Sequence, residues 1–503
     1  MSKREEENSY QSILETTGLI GLVQVIGVAL GILRTKAIAL ILGTQGFGVL
    51  SLYNGMVDFA SSTSQFGIGV GSVKELSKAQ GENRQQAIQE ILYAIRFWIV
   101  IVSSIAVVII VFFAPQIGAY QFGENGNAHI EGIRLVAFAV LFGNLYQIHI
   151  SILNGVRQLR QMAYSQVLAS VSGLFVALPI IYYGGKVGIE LSILVVAILN
   201  AATSYWFIRK LGYRSLRVDW ATTKLHLREI LKVGLSFAVP GVVGVSIAYG
   251  SRLFLKEHFS FEMLGIYQAC VVLSTLYVQT ILSAMGADFL PRLMTVHHDN
   301  EQVNRKVNEQ MELGLLMASI GVFATFILAP YLLQLFYSEQ FVSGATILRW
   351  QILAVFLRVL EWPMGFATTA KGKNMLFMTL QSGYLLFEIA VLLLLSIWFG
   401  VEGLAVSYFV SYTIFFVVRY YSLTRITGFR FSALLFSISK IVFVTLGIIV
   451  LSVLMLPTTW GLSAAMVTLV GYTLWCNRLL KEKMDINLWA LISSKFNSRK
   501  IDE

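Results

Sequence analysis

The stretch Arg34–Leu52, RTKAIALILGTQGFGVLSL, decides how the rest of the chain is read. Arg34 stands inside an apolar segment that runs on to about residue 41. Leu42–Gly48 then reads Leu-Gly-x-x-Gly-x-Gly, a glycine-punctuated turn, and a second apolar segment begins at once. A bilayer crossing needs roughly 20 apolar residues. Two such segments joined by so short a turn predict a pair of membrane-spanning helices running in opposite directions.

The same pattern continues outward to both ends. Apolar segments near 14–41, 47–73, 96–115, 133–154, 162–183, 188–208, 232–255, 263–290, 312–336, 345–369, 375–399, 402–422, 433–456 and 459–477 predict fourteen spans. The fold class is an all-α polytopic membrane protein. Composition agrees: 56% of the 503 residues are hydrophobic and 13% are charged, against about a quarter charged in soluble domains. Cys270 and Cys476 lie in apolar stretches and read as small buried hydrophobes, with neither disulfide nor metal spacing. Met1–Gln11 carries no cleavable signal pattern, so the first apolar segment is expected to direct insertion.

A net charge of +10 raises the question of nucleic acid. The distribution of Lys and Arg answers it, because these residues accumulate in cytoplasmic loops. With the N-terminus inside, 29 of the 38 fall on inside segments, among them Arg419, Arg425 and Arg430, while only Lys186 and Lys256 fall outside. The basic balance is therefore topology. Both termini are expected in the cytoplasm, and no nucleic-acid partner is expected.

The chain also repeats itself. Gly48 matches Gly265 and Leu76 matches Leu293 at an offset of 217, and Pro115 matches Pro330 and Gly185 matches Gly400 at 215. Each copy holds six predicted spans, so the copies share one orientation, related by an axis along the membrane normal. The expected division is an N-terminal lobe at 1–211, a C-terminal lobe at 212–425, two further helices at 426–477 and a cytoplasmic tail at 478–503.

Polar residues recur on single helical faces. Span 1 carries Thr17, Gly21, Gln24, Gly27, Gly31 and Arg34; span 2 carries Ser51, Asn54, Asp58, Ser61 and Gln65. Span 10 carries Gln351, Arg358 and Glu361, and span 11 carries Gln381, Tyr384 and Glu388. Small and hydroxyl residues on such faces also suit ordinary helix contacts. The charges point to a cavity, since a charge at the bilayer centre costs at least ~2.5–3.5 kcal/mol and normally faces a bundle interior or water. Arg358 and Glu361, at i and i+3, suit either a mutual pair or a cavity wall. Lys36 is placed to snorkel, and His149 reads as a hydrogen-bonded polar residue rather than a metal ligand. The excess of arginine, a planar fork that fits phosphate, favours an anionic cargo. The buried acids Asp58, Glu361 and Glu388 suit a coupling proton or sodium ion. No GxxxxGK[ST], no HExxH and no nucleophile–base constellation occurs, so no enzyme activity, cofactor or metal is expected.

With these residues in view, Arg34–Leu52 resembles the corresponding region of bacterial polysaccharide flippases of the multidrug/oligosaccharidyl-lipid/polysaccharide exporter superfamily. Leu264–Gln268 (LGIYQ), Phe289–Leu293 (FLPRL), Arg349–Arg358 (RWQILAVFLR) and Ala367–Asn374 (ATTAKGKN) resemble the O-antigen and enterobacterial-common-antigen lipid flippases. The resemblance spans roughly 14–425. It implies two six-helix lobes in a V around a cavity, in the bacterial inner membrane. The implied cargo is an undecaprenyl-pyrophosphate-linked oligosaccharide for lipopolysaccharide or related surface polysaccharide. Alternating access would carry it from the cytoplasmic to the periplasmic leaflet with ion-gradient coupling. On this view Arg34 and Arg252, with Arg358 third, meet the pyrophosphate; Gln24, Asn54 and Gln65 meet sugar; and the last two helices offer a groove for the polyprenyl tail. Membrane lipid, a polysaccharide polymerase and a chain-length regulator are the implied partners. The alternatives are a multidrug or small-cation antiporter of the same superfamily, a peptidoglycan-precursor flippase, or a membrane glycosyltransferase or polymerase acting on lipid-linked sugars.

Overall fold

Every element among the described residues is a helix, as apolar segments of this length require. The structure is a computed structural model and describes residues 3–212 and 219–484. Ten helices among these are long and apolar enough to cross a membrane. Some of these helices are longer than one crossing needs. Asn374–Thr427 is one run of 54 residues, about 80 Å at ~1.5 Å per residue, far more than the ~30 Å of hydrocarbon. Gly400 interrupts it with φ 60° and ψ −133°, a conformation open to glycine and strained for other residues.

Gly185 does the same inside Ala177–Lys210, with φ 57° and ψ −128°. The two glycines are the pair matched at 215 in the sequence repeat, and they take almost the same backbone. The opening stretch behaves likewise: Lys3–Gln65 is broken at Gly43 (φ 64°, ψ −171°), inside the Leu-Gly-x-x-Gly-x-Gly turn.

The chain forms two compact units. The first is Met1–Gln268 with Gln334–Phe341. Its helices are α1 (Lys3–Gln65), α2 (Ile68–Gly81), α3 (Gln85–Phe112), α4 (Ala114–Phe122), α5 (Gly126–Gly155), α6 (Leu159–Phe175), α7 (Ala177–Lys210), α8 (Trp220–His258) and the start of α9 (Phe261–Thr295). Ile88, Leu92, Ile95 and Ile99 fall at steps of four, three and four on one face of α3. They are buried against Ile148 and Ile152 of α5 and Leu76 of α2. In lipid such a face is held by close packing and interhelical hydrogen bonds rather than by exclusion of water. The span expected at 47–73 ends early: Phe66 (φ 46°) and Gly67 (φ 79°) separate α1 from α2. The cause is tertiary, because the backbone at Gly67 meets that of Gly234 on α8 with no room for a Cβ.

The second unit is Ala269–Leu333 with Val342–Glu503. It holds the rest of α9, most of α10 (Asn300–Phe336), and α11 (Ala345–Ala370), α12 (Asn374–Thr427), α13 (Ala433–Met455) and α14 (Thr458–Met484). The turn from α12 to α13 is fastened to α10. Thr427 donates to Asn304 at 2.7 Å, Asn308 donates to the Arg430 carbonyl at 3.0 Å, and the Ser432 amide donates to Asn308 at 2.9 Å. Ser432 caps α13 by accepting from the Leu435 amide at 2.9 Å, and its hydroxyl donates to Glu312. Ser432→Ala is expected to lower stability by about 1 kcal/mol for the cap, more once the buried Glu312 loses its donor. Thermal unfolding of the purified protein checks this, with Ser437→Ala, on the exposed face of α13, as a near-silent control. α14 continues past residue 477 to Met484; residues 485–503 of the expected tail lie outside the described residues.

Candidate functional site

Each unit carries its own polar cluster in membrane-spanning helix. In the first unit, Arg252 of α8 reaches α1. Its Nη1 lies 4.0 Å from Asp58 Oδ2, and its Nε donates to Gln268 Oε1 at 3.3 Å. The approach needs Gly55: a Cβ there would stand 2.4 Å from Arg252 Nη1. Tyr249, one turn earlier on α8, stacks on Phe59 and is hydrogen-bonded by Gln121. Arg252 is mostly buried, whereas the Asp58 side chain is 62% exposed. Asn54, one turn from Asp58, is exposed as well. An amide and a carboxylate at i and i+4 in a spanning helix, turned away from their own unit, require water or a polar ligand.

Arg34 sits on a different wall. Its guanidinium lies over Gly173 of α6, where a Cβ would fall 2.6 Å from Nη1. Its Nε is buried with no hydrogen-bond partner among the described residues. Lys36, expected at the interface, donates to the Leu335 carbonyl at 2.6 Å, a cation on the last turn of α10 where free carbonyls gather. Gln65 is engaged within the unit: it donates to Asn144 at 2.7 Å, and Asn144 donates to Ser64 and Ser103 at 2.8 and 2.9 Å. His149 is hydrogen-bonded to Ser204 at 2.9 Å, as expected of a buried polar residue. The Gln24 side chain lies outside the described residues.

In the second unit Arg358, Glu361 and Glu388 come together between α11 and α12. The direct ion-pair partner of Glu361 is Arg419, at 2.7 Å. Arg419 also donates to Gln381 at 3.2 Å and lies over the rings of Phe415 and Phe377. Its exposure is 0%. Arg419 lies within α12, which runs on to Thr427, and a carboxylate, an amide and two ring faces replace water around the guanidinium. Arg358 hydrogen-bonds Tyr408 and has Tyr384, Tyr412 and Glu361 as electrostatic neighbours. Glu388 lies beside Tyr384 and Arg358. Two arginines thus face two carboxylates inside a nest of tyrosines, Tyr384 tilted against Tyr412 with centroids 4.8 Å apart and Tyr408 edge-on to Tyr412 at 4.9 Å. Sequence reasoning missed Arg419. The signal was a helical face, Tyr408, Tyr412, Phe415 and Arg419 at steps of four, three and four, that sets the arginine inside the span expected at 402–422.

The second unit also bears an apolar groove of about 540 Å³ lined by Leu357, Leu360, Phe416, Leu435, Phe443 and Lys440, among others.

A family model described as polysaccharide biosynthesis protein matches residues 37–346. The chain is similar to the lipid III flippase of Escherichia coli (strain K12), 21% identical over 392 residues, which make up 77% of this chain and 92% of that protein. The lipid III flippase of Shigella flexneri matches to the same extent. Among solved structures, the lipid II flippase MurJ in an inward closed conformation has a TM-score of 0.69 at 14% identity, covering 93% of this chain and 100% of that one. An inward-facing multidrug resistance MATE family transporter of the MOP superfamily has a TM-score of 0.65 at 15% identity, covering 79% and 95%. At these identities the likeness to solved structures establishes the fold, a polytopic helical membrane protein.

Proposed function

The chain belongs to the polysaccharide biosynthesis protein family, and we propose from that premise that it is a flippase for a lipid-linked oligosaccharide. The cargo we propose is an undecaprenyl-pyrophosphate-linked repeat unit of O-antigen or a related surface polysaccharide. It moves from the cytoplasmic to the periplasmic leaflet of the bacterial inner membrane by alternating access. The lipid III flippases, aligned over nearly their whole length, support this class of cargo. The observation that carries the reading is Arg34: a permanent cation in a spanning helix, its Nε buried with no hydrogen-bond partner among the described residues. A pyrophosphate supplies the acceptors such a fork lacks. Arg252 is held by Gln268 at 3.3 Å and has its carboxylate no nearer than 4.0 Å, which leaves it able to exchange Asp58 for phosphate. Arg358 is the third candidate, and Asn54 and Gln65, with Gln24, are candidates for sugar contacts.

The apolar groove along α13 suits the polyprenyl tail, with Lys440 at its wall. For coupling to protons or sodium, Asp58 and Glu388 are better placed than Glu361, which Arg419 holds. The topology we propose has both termini in the cytoplasm and fourteen crossings divided as 1–211, 212–425 and 426–477, with a tail at 478–503. The shared backbone of Gly185 and Gly400 supports the two-repeat origin. A polysaccharide polymerase and a chain-length regulator are the expected protein partners. A small-cation antiporter is a weaker reading, because the first unit's embedded arginines repel such cargo.

Complementation of a flippase-deficient strain tests the assignment. Arg34→Ala and Arg252→Ala, at matched expression, are expected to lose at least about tenfold in surface polysaccharide, the consequence of removing a buried charge contact of ~2–5 kcal/mol. Glu388→Gln is expected to lose the response of translocation to an ion gradient in vesicles. Full activity in all three variants would sink the site assignment.

A further inference from the structure

Tyr53, His129 and Glu190 have no part in the cargo site, yet they form a closely built polar cluster in the first unit. Tyr53 on α1 donates its hydroxyl proton to Glu190 Oε1 on α7 at 2.7 Å. His129 Nδ1 on α5 lies 2.9 Å from the same hydroxyl oxygen. A phenol has one proton to give, and Glu190 receives it. His129 must therefore be the Nδ1–H donor. The bonds run in one direction, from imidazole N–H to phenol oxygen and from phenol O–H to carboxylate.

The surroundings fit that chain. Tyr53 is 0% and Glu190 6% exposed, whereas the His129 side chain is 19% exposed. Glu190 Oε2 is buried and has no hydrogen-bond partner among the described residues. Gly132 makes the room: a Cβ there would fall 2.7 Å from both the Tyr53 hydroxyl and Glu190 Oε1. Phe122 stacks on His129 with ring centroids 3.8 Å apart and covers one face. Other charged groups on the neighbouring elements have counter-charges of their own. Lys256 of α8, which approaches Gly123, pairs with Glu257 at 3.2 Å, and Arg134 of α5 pairs with Glu131 at 2.6 Å. Glu124 is exposed.

We propose that His129, Tyr53 and Glu190 form a proton relay that ends in a proton-binding site on Glu190. Water protonates His129 at Nε2. The Nδ1 proton passes to the Tyr53 oxygen as the Tyr53 proton passes to Glu190 Oε1. Imidazole is left neutral with its proton on Nε2, the phenol is restored, and the carboxylate becomes a carboxylic acid. In the topology proposed above, the entrance at His129 faces the periplasm, where an inward-directed proton gradient is loaded. The link to transport rests on the flippase reading; proton binding itself does not.

Infrared titration of the purified chain in nanodiscs, from about pH 8 to about pH 3, tests the site without any cargo. A protonated-carboxyl band is expected to grow in the wild type, to lose one component in Glu190→Gln, and to shift in frequency in Tyr53→Phe, which keeps the ring but breaks the relay. Dye-reported proton uptake after a pH jump is expected to slow about tenfold in His129→Gln. A spectrum unchanged by Glu190→Gln in a monodisperse protein overturns the proposal, and so does unaltered uptake in both Tyr53→Phe and His129→Gln. Translocation that follows a proton gradient in the wild type but not in Glu190→Gln ties the relay to transport. A Glu190 band without any gradient response in the wild type upholds the proton site and refutes the coupling.

Discussion

Glu361→Ala is expected to destabilise the protein by about 3–5 kcal/mol, the range for breaking a buried ion pair from one side. Arg419 is wholly buried and cannot shed its charge. Without the Glu361 oxygen at 2.7 Å, it keeps Gln381 and two aromatic faces, none of which carries a countercharge. The expected result is a lower apparent melting temperature in detergent and a reduced yield of monodisperse protein. Glu361→Gln should fall between Ala and wild type, because the amide oxygen still accepts from Arg419 Nε. Glu361→Ala combined with Arg419→Met should recover most of the loss, since an apolar pair often replaces a buried ion pair at little or no net cost. A single variant that melts with the wild type would show that the pair contributes nothing.

Gly265→Ala is the second large effect. A Cβ at Gly265 would lie 2.1 Å from the Thr44 carbonyl oxygen, and a Cβ at Gly48 would lie 2.0 Å from that of Phe261. Both obstacles are backbone, so no side chain can swing aside, and the start of α9 must part from α1. The expected cost is at the top of the ~1–3 kcal/mol range for overpacking, read as a fall in melting temperature. Gly447→Ala is the contrast. Nothing stands within 4 Å of a Cβ there, and a helix-interior glycine replaced by alanine is expected to gain up to about 1 kcal/mol. Equal behaviour of the two variants would mean that the crossing at Gly265 tolerates a methyl group.

What the sequence discloses here and what it hides follow from the distance over which each feature is decided. The spans and the turn at Gly43 are local: apolar length and a glycine run suffice. Gly185 and Gly400 were legible as a repeat pair, and their common backbone follows from the same local pattern. Glu361 was legible as a buried charge, but its partner stands 58 residues on, on another helix, and no local pattern pairs the two. The break at Phe66–Gly67 lies within an apolar run and arises from a backbone crossing with Gly234, which no local pattern marks. Tyr53, His129 and Glu190 are unremarkable one at a time, and only their convergence from three helices makes a chain of hydrogen bonds.

The Glu361–Arg419 pair also bears on how the protein is made. A lone arginine in a segment leaving the translocon is penalised, by as much as ~2.5–3.5 kcal/mol at the centre of the bilayer and less toward its edge, and the second half of α12 must carry Arg419 into the membrane. Glu361 emerges from the ribosome first, on α11. If α11 stays beside the exit channel until residue 419 arrives, the cation enters already neutralised and ringed by Phe377 and Phe415. α11 and both halves of α12 then partition into the membrane as one assembled unit, so the order of synthesis supplies the countercharge before the charge that needs it.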